Sequence, residues 1–379
     1  MTPDTHSNWS YPTAIRFGAG RVSELADSCA AAGISRPLFV TDKGLANAPI
    51  TQEALSHVPD AVVFSEVDPN PNELNLNAGV AAFKAGGHDG VIAFGGGSAL
   101  DLGKLIALMA QQSVGVWDLE DVDDWWTRAE PSRIFPSVAV PTTAGTGSEV
   151  GRAGVLTNSV THEKKIIFHP KVLPSVVICD PALTTTMPAH ITAGTGMDAF
   201  AHCLEAYCSP HYHPMSQGIA LEGMRIVKDN LLRAFQTPDD LSARGEMMSA
   251  AMMGAVGFQK GLGAIHALSH PLGAVHNTHH GMTNAVVMQA VLAFNRPAIE
   301  TRIEAAAAYL GITGGFDGFV AMVAEMCSAL NVPENLTALG VVDPDVASLT
   351  EKALIDPSCG GNPIPLRRET VVSLFETCI

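Results

Sequence analysis

One stretch, from Gly194 to Gly281, constrains this chain more than any other feature. Its first part, TAGTGMDAFAHCLEA, has helical character and places Asp198 and His202 four residues apart. Side chains at that spacing leave one face of a helix. The segment therefore predicts a helix on which a carboxylate and an imidazole meet.

The second part of the stretch, GLGAIHALSHPLGAVHNTHHG, repeats this spacing with His266 and His270. His280 follows a short polar turn, Asn277-Thr278, that can swing it back toward the same point. Spacing alone does not choose between His266 and His270 as the partner of His280, because both lie on one helix face. One of the two would be a ligand and the other a neighbour.

Four of these side chains would close around one divalent cation. A His/Asp set without thiolate suits iron(II), zinc, manganese or cobalt better than copper(I). Three histidines and one carboxylate also leave room for an exogenous oxygen ligand, which favours a catalytic metal site over a structural one. The alternative is that the histidines are satisfied core or capping residues.

Before this stretch, strand-like and helical segments alternate, which predicts a parallel, doubly wound sheet. RPLFVTD is a buried strand that ends in Asp42, and GVIAFGGGSALDLGK runs from a strand through Gly95-Gly96-Gly97-Ser98 into a helix. Free N–H groups at such a helix start can receive a phosphate. IFPSVAVPTTAGTGSEVG adds a hydroxyl-rich loop, and ligands of doubly wound sheets lie at this edge.

From His190 onward the segments are helical. We therefore predict a Rossmann-like α/β domain over residues 1–189 and an all-α domain over 190–379.

The charge and cysteine content exclude several classes of protein. A formal net charge of −16 argues against nucleic acid or an anionic membrane as partner. The seven cysteines show no CxxC and no disulfide framework, which fits a reducing cytosol. The N-terminus, MTPDTHSNWSYP, lacks the basic flank and apolar run of an export signal, so we expect a cytoplasmic protein.

The chain resembles the iron-containing (group III) alcohol dehydrogenases over nearly its whole length. The similarity lies in these motifs: FGAG, VTDKGL, DPNP, GGGSALDLGK, PTTAGTGSEV, CDPAL, GMDAFAHCLEAY, HALSHPLG, HHG with Asn284 shortly after, and a late NP. The resemblance implies a dehydroquinate synthase-like fold, with a nucleotide-binding α/β domain and a helical metal domain.

Site residues follow from the same resemblance, position by position. It implies four metal ligands, Asp198, His202, His266 and His280, and places His270 unligated beside the nicotinamide. For NAD it implies ribose recognition by Asp42, a pyrophosphate cradle of Gly96, Gly97 and Ser98, Asp101 on the nicotinamide side, and a cleft lined by Thr142, Thr143 and Ser148. Lys164 matches a family lysine near the ribose, although its neighbour Lys165 leaves that alignment open.

Two departures from the family pattern bear on the substrate. His279 stands where the family often has proline, and it adds a candidate competing ligand. GFQKGLGAIH replaces an Asn-rich stretch, and Lys260 within it suggests the hypothesis of a contact with a substrate acid group; the alternative is a solvent-facing lysine.

The resemblance implies hydride transfer between a short primary alcohol, a hydroxy acid being one candidate, and NAD, which is favoured over NADP. Iron(II) is the favoured metal and zinc the next. We expect a small-molecule substrate, no membrane or nucleic-acid partner, and a homodimer as one candidate assembly. Two alternatives stay open: a dehydroquinate-synthase-like lyase that uses metal and NAD, and a non-catalytic protein that binds NAD or metal.

Overall fold

The computed structural model describes residues 11–379, so most of the N-terminal segment considered for an export signal lies outside the described residues. The described chain divides into two compact units. An α/β unit comprises 11–143 and 147–186, and a helical unit comprises 144–146 and 187–379. The sequence places the boundary close by, at 189/190, but does not foresee that 144–146 belongs with the helices. The roles of the two units, NAD binding and metal binding, stay predictions.

Eight strands occur in the α/β unit as the structure describes it. In chain order they are β1 Ala14–Phe17, β2 Pro37–Val40, β3 Val62–Phe64, β4 Gly90–Gly95, β5 Ser137–Pro141, β6 Ala153–Asn158, β7 Glu163–Phe168 and β8 Val176–Cys179. Six of them form one parallel sheet in the order β1-β8-β5-β4-β2-β3. Strands β2, β4, β5 and β8 are buried along their whole length, as continuous apolar runs predict.

Four helices alternate with the first strands of this sheet. They are α1 Leu25–Ala31, α2 Pro49–Ser56, α3 Glu73–Ala85 and α4 Gly97–Met109. The alternation confirms the predicted Rossmann-like class. The carboxyl ends of β2, β4 and β5 lie side by side, because these parallel strands are neighbours.

An antiparallel hairpin, β6 with β7, is a feature that the sequence analysis missed. Its strands contain a polar pair, Lys164 and Lys165, and a turn with His162 at a φ of 53°. Strands with so little continuous apolar character resemble a loop in sequence. The two strands are held together by backbone hydrogen bonds, which the pattern of side chains does not predict.

The described part of the helical unit carries eight α-helices. These are α5 Ala189–Cys208, α6 Pro214–Gln236, α7 Leu241–Gly257, α8 Ala264–His276, α9 His280–Tyr309, α10 Gly315–Ala329, α11 Val346–Leu354 and α12 Arg368–Cys378. The sequence favours separate helices at AVVMQAVLAF and TRIEAAAAYLG, but both stretches belong to α9, which has Pro297 inside it. Within residues 11–379, no helix combines the length and apolar character that a membrane span needs.

Helix α5 lies at the centre of this unit and is buried from Thr192 to Cys208. Its contact with α9 is close at two glycines. A Cβ built on Gly281 would lie 1.9 Å from the carbonyl oxygen of Gly194. Glycine is therefore required at 281 to bring the start of α9, and the histidine before it, against α5.

Candidate metal and cofactor sites

Asp198 and His202 lie one turn apart on α5 and are both buried. Their nearest ligand atoms, Asp198 Oδ1 and His202 Nε2, are 3.6 Å apart. The i, i+4 spacing thus places both groups on one face, as the sequence predicts.

Two further histidines reach the same carboxylate oxygen from α8 and α9. His266 Nε2 lies 3.6 Å from Asp198 Oδ1, and His280 Nε2 lies 3.4 Å from it. The turn between these helices is the predicted one, with Asn277 in the left-handed conformation at a φ of 54°. Asp198, His202 and His266 form a group whose ligand atoms lie within 4.8 Å of one another.

The donor set fits a divalent metal ion. Separations of 3.4–3.6 Å are too long for good hydrogen bonds between the histidines and Asp198. Donors bound at about 2.1 Å around a tetrahedral ion lie about 3.4 Å apart. His280 is the most accessible of the four, with 26% of its side chain exposed, so an exogenous ligand would approach on its side.

The electrostatics of the cluster favour an ionised Asp198. Burial opposes its charge, but His202, His280 and His266 hold its pKa well below the usual range. Burial lowers the pKa of His202 to about 4. Burial also disfavours protonation of His266, yet the carboxylates of Glu205 and Asp198 raise its pKa to about 9. A bound cation would compete with protons for the ligand atoms of these side chains.

Two side chains behind the ligands were not assigned from the sequence. Glu205 Oε2 accepts a hydrogen bond from His266 Nδ1 at 2.6 Å, and Asn284 Nδ2 donates to Asp198 Oδ1 at 2.9 Å. A signal for Glu205 was present, because residues 198, 202 and 205 follow the i, i+4, i+7 pattern of one helix face. Asn284 likewise follows His280 by four residues.

His270 lies next to this cluster, with its ring stacked on that of His280 at 5.3 Å between centroids. Its Nδ1 donates to Asp356 Oδ2 at 2.8 Å. The other Asp356 oxygen accepts from the N–H of Ser358, at the start of a short 3₁₀ turn. Burial opposes the charge of Asp356, but His270 lowers its pKa. No spacing in the sequence links these two residues.

Lys260 is buried, and its ammonium group is hydrogen-bonded within the protein. Its side chain is 2% exposed, so the solvent-facing alternative is wrong. Its Nζ donates to the carbonyl oxygen of Tyr207 at 2.9 Å, and Arg302 donates to the same carbonyl. Both cations therefore cap the carboxyl end of α5, where they oppose the negative end of the helix dipole. This arrangement gives no support to a contact between Lys260 and substrate.

His279, the candidate competing ligand, caps the start of α9. Its Nδ1 accepts from the N–H of Met282 at 3.4 Å. The ring also packs over Gly194, where an added Cβ would lie 2.4 Å from it. Capping and packing account for this residue without a role as a metal ligand.

Part of the predicted NAD site comes together at the sheet edge. Gly95 has a φ of 145°, and a Cβ there would lie 3.7 Å from Asp42 Oδ2. One placed on Gly96 would lie 3.3 Å from Thr143. Gly96 begins α4 without a side-chain cap, so the first N–H groups of α4 can meet an anion. This glycine cradle has the bare backbone that a pyrophosphate requires.

Asp101 and Ser148 contact each other rather than opening toward a ligand. Ser148 donates to Asp101 Oδ1, and Val155 N–H donates to Oδ2 at 3.0 Å. The buried Lys104 lies 3.2 Å from Asp101 Oδ1 and donates to the Ser148 carbonyl at 2.8 Å. These bonds join α4 to the chain that leads into β6, a structural role that sequence motifs did not indicate. Lys104 itself was not singled out.

The remaining predicted cofactor residues occupy three places. Ser98 donates to the carbonyl of Pro69 at 2.6 Å. Thr142 is buried, and its N–H donates to the Gly95 carbonyl at 3.0 Å. Lys164 lies on β7 opposite Thr157. The assignment of all these side chains to NAD stays a prediction.

Comparison with known proteins yields two family models that together span most of the chain. The model for iron-containing alcohol dehydrogenase matches residues 12–181, and the model for the C-terminal region of that family matches 192–379. A 4-hydroxybutyrate dehydrogenase from Cupriavidus necator is 38% identical over 365 residues, which cover 93% of this chain and 94% of that protein.

Solved structures agree with this result. The crystal structure of a 1,3-propanediol oxidoreductase superposes with a TM-score of 0.92 and 32% identity, over 98% of this chain and 100% of that one. The structure of a sulfoacetaldehyde reductase from Bifidobacterium kashiwanohense, in complex with NAD+, gives a TM-score of 0.89 and 27% identity over 99% of each chain. These matches favour a dehydrogenase over a lyase or a non-catalytic binder.

Proposed function

The chain belongs to the iron-containing alcohol dehydrogenase family, and from that premise we propose that it interconverts a short hydroxy acid and the corresponding aldehyde acid. The protein is a metal-dependent, NAD-linked oxidoreductase that acts on a CH–OH group. The acid-bearing substrate class is supported by two relatives, which are named for 4-hydroxybutyrate and sulfoacetaldehyde. Both compounds carry an acid group close to the reacting carbon.

The observation that carries the proposal is the convergence of three imidazole Nε2 atoms on Asp198 Oδ1. We assign Asp198, His202, His266 and His280 as the residues that would hold the metal. When bound, a divalent cation supplies Lewis-acid polarisation of an alcohol or carbonyl oxygen, and the nicotinamide exchanges the hydride.

His270 is the residue we assign to proton transfer. Because its Nδ1–H donates to Asp356, the lone pair of the neutral ring is on Nε2, which can accept a proton. Asp356 is in turn held by the Ser358 N–H, so the imidazole is fixed in one tautomer and one orientation. A fixed ring takes up or returns a proton with little reorganisation.

In the α/β unit we assign the glycine cradle and Asp42 to NAD. A carboxylate at the end of β2 accepts ribose hydroxyls and repels a 2′-phosphate, which favours NAD over NADP. The homodimer and the cytoplasmic location stay predictions.

The test is a turnover assay. Metal-stripped protein is reconstituted separately with iron(II) and with zinc, and NADH consumption is followed with short aldehydes. Matched pairs share a chain length and differ in one terminal group, carboxylate or methyl. We expect turnover with both members and a kcat/KM about 10- to 100-fold higher for the acid-bearing one, the equivalent of about 1.4–2.7 kcal/mol.

Equal kcat/KM for both members of each pair would remove the acid-bearing substrate class and leave the dehydrogenase assignment standing. The absence of turnover with either metal, despite NAD binding, would contradict the assigned metal site as well. His266→Ala serves as the inactive reference, and His190→Ala, an exposed histidine on α5, serves as the active one.

A further inference from the structure

The carboxylate of Glu205, on α5, accepts hydrogen bonds from His266 and from the backbone at the start of α8. We propose that Glu205 is a positioning residue that fixes the tautomer of His266, so that an unprotonated Nε2 faces the metal. The inference rests on the proposed metal site and deepens it. It makes Glu205 the group that orients the His266 ring toward the metal position.

Both oxygens of Glu205 accept a hydrogen bond. Oε2 accepts from His266 Nδ1 at 2.6 Å, and Oε1 accepts from the backbone N–H of Ile265 at 2.6 Å. The residue is buried, with 6% exposure, and the Ile265 N–H belongs to the first turn of α8. One carboxylate on α5 therefore sets both the position of α8 and the ring orientation of His266.

The consequence for ligation follows from the chemistry of imidazole. A neutral ring has one N–H donor and one nitrogen with a free lone pair. A carboxylate accepts only, so it keeps the proton of His266 on Nδ1. The lone pair of Nε2 then points toward Asp198, 3.6 Å away. A negative partner also makes the imidazole a stronger donor to a cation.

Glu205 differs from the other polar residue at the start of α8. Asn362 Oδ1 accepts from the N–H of Ala264 at 3.1 Å, one residue before the N–H that Glu205 holds. The side-chain amide of Asn362 pairs instead with that of Asn295. The two residues share the task of capping α8, whereas the contact with His266 belongs to Glu205.

The sharpest variant is Glu205→Gln, because it preserves size but replaces one acceptor by a donor. If the glutamine oxygen accepts from Ile265, its amide donates to His266 Nδ1 and moves the ring proton onto Nε2. If the oxygen faces His266 instead, the amide opposes the Ile265 N–H and the helix start is disturbed. Neither orientation satisfies both partners. Alanine is a poorer choice, since Glu205 lines a pocket, together with Leu204 and Asn295, from which water could enter.

The experiment measures cobalt(II) and zinc affinity by competition with a chromophoric chelator. We expect Glu205→Gln to bind each metal about 10- to 100-fold more weakly than wild type. The visible spectrum of any cobalt(II) that binds should also change, since His266 leaves the coordination sphere. Asn362→Ser is the matched control: it weakens the cap of α8 and lowers the melting temperature, but leaves cobalt(II) affinity within about twofold.

A second measurement uses wild-type protein and does not depend on the folding of a variant. Histidine-labelled, zinc-loaded protein is studied by ¹⁵N NMR, and His266 is assigned by its loss in His266→Ala. We expect the proton on Nδ1. A proton on Nε2, or equal metal affinity of Glu205→Gln and wild type, overturns the proposal.

The two levels of inference fail in different ways. If wild type binds neither metal in a manner that depends on His266, the proposed metal site itself is wrong. If wild type binds metal and Glu205→Gln binds it equally well, only the role of Glu205 is wrong.

Discussion

Two buried polar clusters, one in each unit, differ in where their donors and acceptors point. In the α/β unit, Asp101 receives hydrogen bonds from Ser148 and from the N–H of Val155, and Lys104 lies 3.2 Å away. Lys104 in turn donates to the carbonyls of Ser148 and Ala153. The polar groups of this cluster are thus hydrogen-bonded to one another and to the nearby backbone.

The cluster of the helical unit has the opposite arrangement. Three imidazole nitrogens lie around Asp198 Oδ1 at 3.4–3.6 Å, and the amide of Asn284 donates to that same oxygen. Apart from the Asn284 amide, the groups that face these ligand atoms are the other ligand atoms of the cluster. Buried polar atoms that converge in this way indicate a binding site for a cation, whereas polar groups that hydrogen-bond to one another indicate a structural role.

Two carboxylates that the family motifs predict as site residues differ in their surroundings. Asp198 and Asp101 both come from motifs of the family, and both are carboxylates on helices. Their partners distinguish them: the bonds of Asp101 are used within the protein, while those of Asp198 leave room for a cation. The role of Asp101 beside the nicotinamide stays a prediction, with a structural role now established next to it.

The largest effect is expected at Asp198, and Asp198→Asn tests the metal side of the comparison. Loss of the charge removes the anionic ligand, so we expect metal content to fall and NADH turnover to drop at least about 1000-fold, or about 4 kcal/mol. Elemental analysis and steady-state assay measure the two results, with His190→Ala as control. Retained metal and activity would show that the convergence on Asp198 has another cause.

The next largest effect is expected at Lys104, in the hydrogen-bonded cluster of the α/β unit. Lys104→Met leaves Asp101 without its cation, and leaves the buried Ser148 carbonyl and the partly buried Ala153 carbonyl without this donor, which should cost about 3 kcal/mol of unfolding free energy. Metal content should not change. Urea denaturation and elemental analysis test this, with the exposed Lys84→Met as control. A variant as stable as the control would mean that the cluster is not structural.

A smaller effect is expected at Asp356, which supports His270 without entering the metal cluster. In Asp356→Asn the amide oxygen stays with Ser358 N–H, so the amide group donates to His270 Nδ1 and reverses the tautomer. We expect kcat to fall about 10-fold while metal affinity stays unchanged. Steady-state kinetics and cobalt(II) titration separate these quantities. If metal binding fell with kcat, Asp356 would be part of the metal cluster's support.

The smallest effect is expected at Lys260, a buried cation with a neutral partner. Burial lowers its pKa to about 7, below the unfolded value near 10.4. The cost of burying the ammonium is therefore full below pH 7 and is relieved as pH rises toward 10. Relative to Lys260→Met, wild type should gain about 1 kcal/mol of unfolding free energy between pH 7 and pH 8.

Urea denaturation at the two pH values measures this gain, and Arg302 keeps the Tyr207 carbonyl bonded in the variant. Lys84→Met should show no such pH dependence relative to wild type. A constant difference between wild type and Lys260→Met would mean that the lysine keeps its usual pKa in the fold.

Much of the fold was predictable, because apolar periodicity reports burial directly. The strand ending at Asp42 and the strand-to-helix turn at Gly96 are examples, since each is a continuous apolar run closed by small or polar residues. The hairpin β6–β7 escaped because its strands are not apolar runs. The stretches AVVMQAVLAF and TRIEAAAAYLG belong to one helix, α9, which stays continuous through Pro297 because it packs on neighbouring helices.

The sequence by itself determined which residues of one helix share a face, since spacing of four sets Asp198 beside His202 without any tertiary information. It could not choose between His266 and His270, because both satisfy the same spacing. Tertiary structure decided that choice: α8 turns His266 toward Asp198 and places His270 against Asp356. Contacts between helices depend on long-range packing, which no local pattern encodes. For the same reason the hydrogen bond between Glu205 and His266 could not be predicted from the sequence.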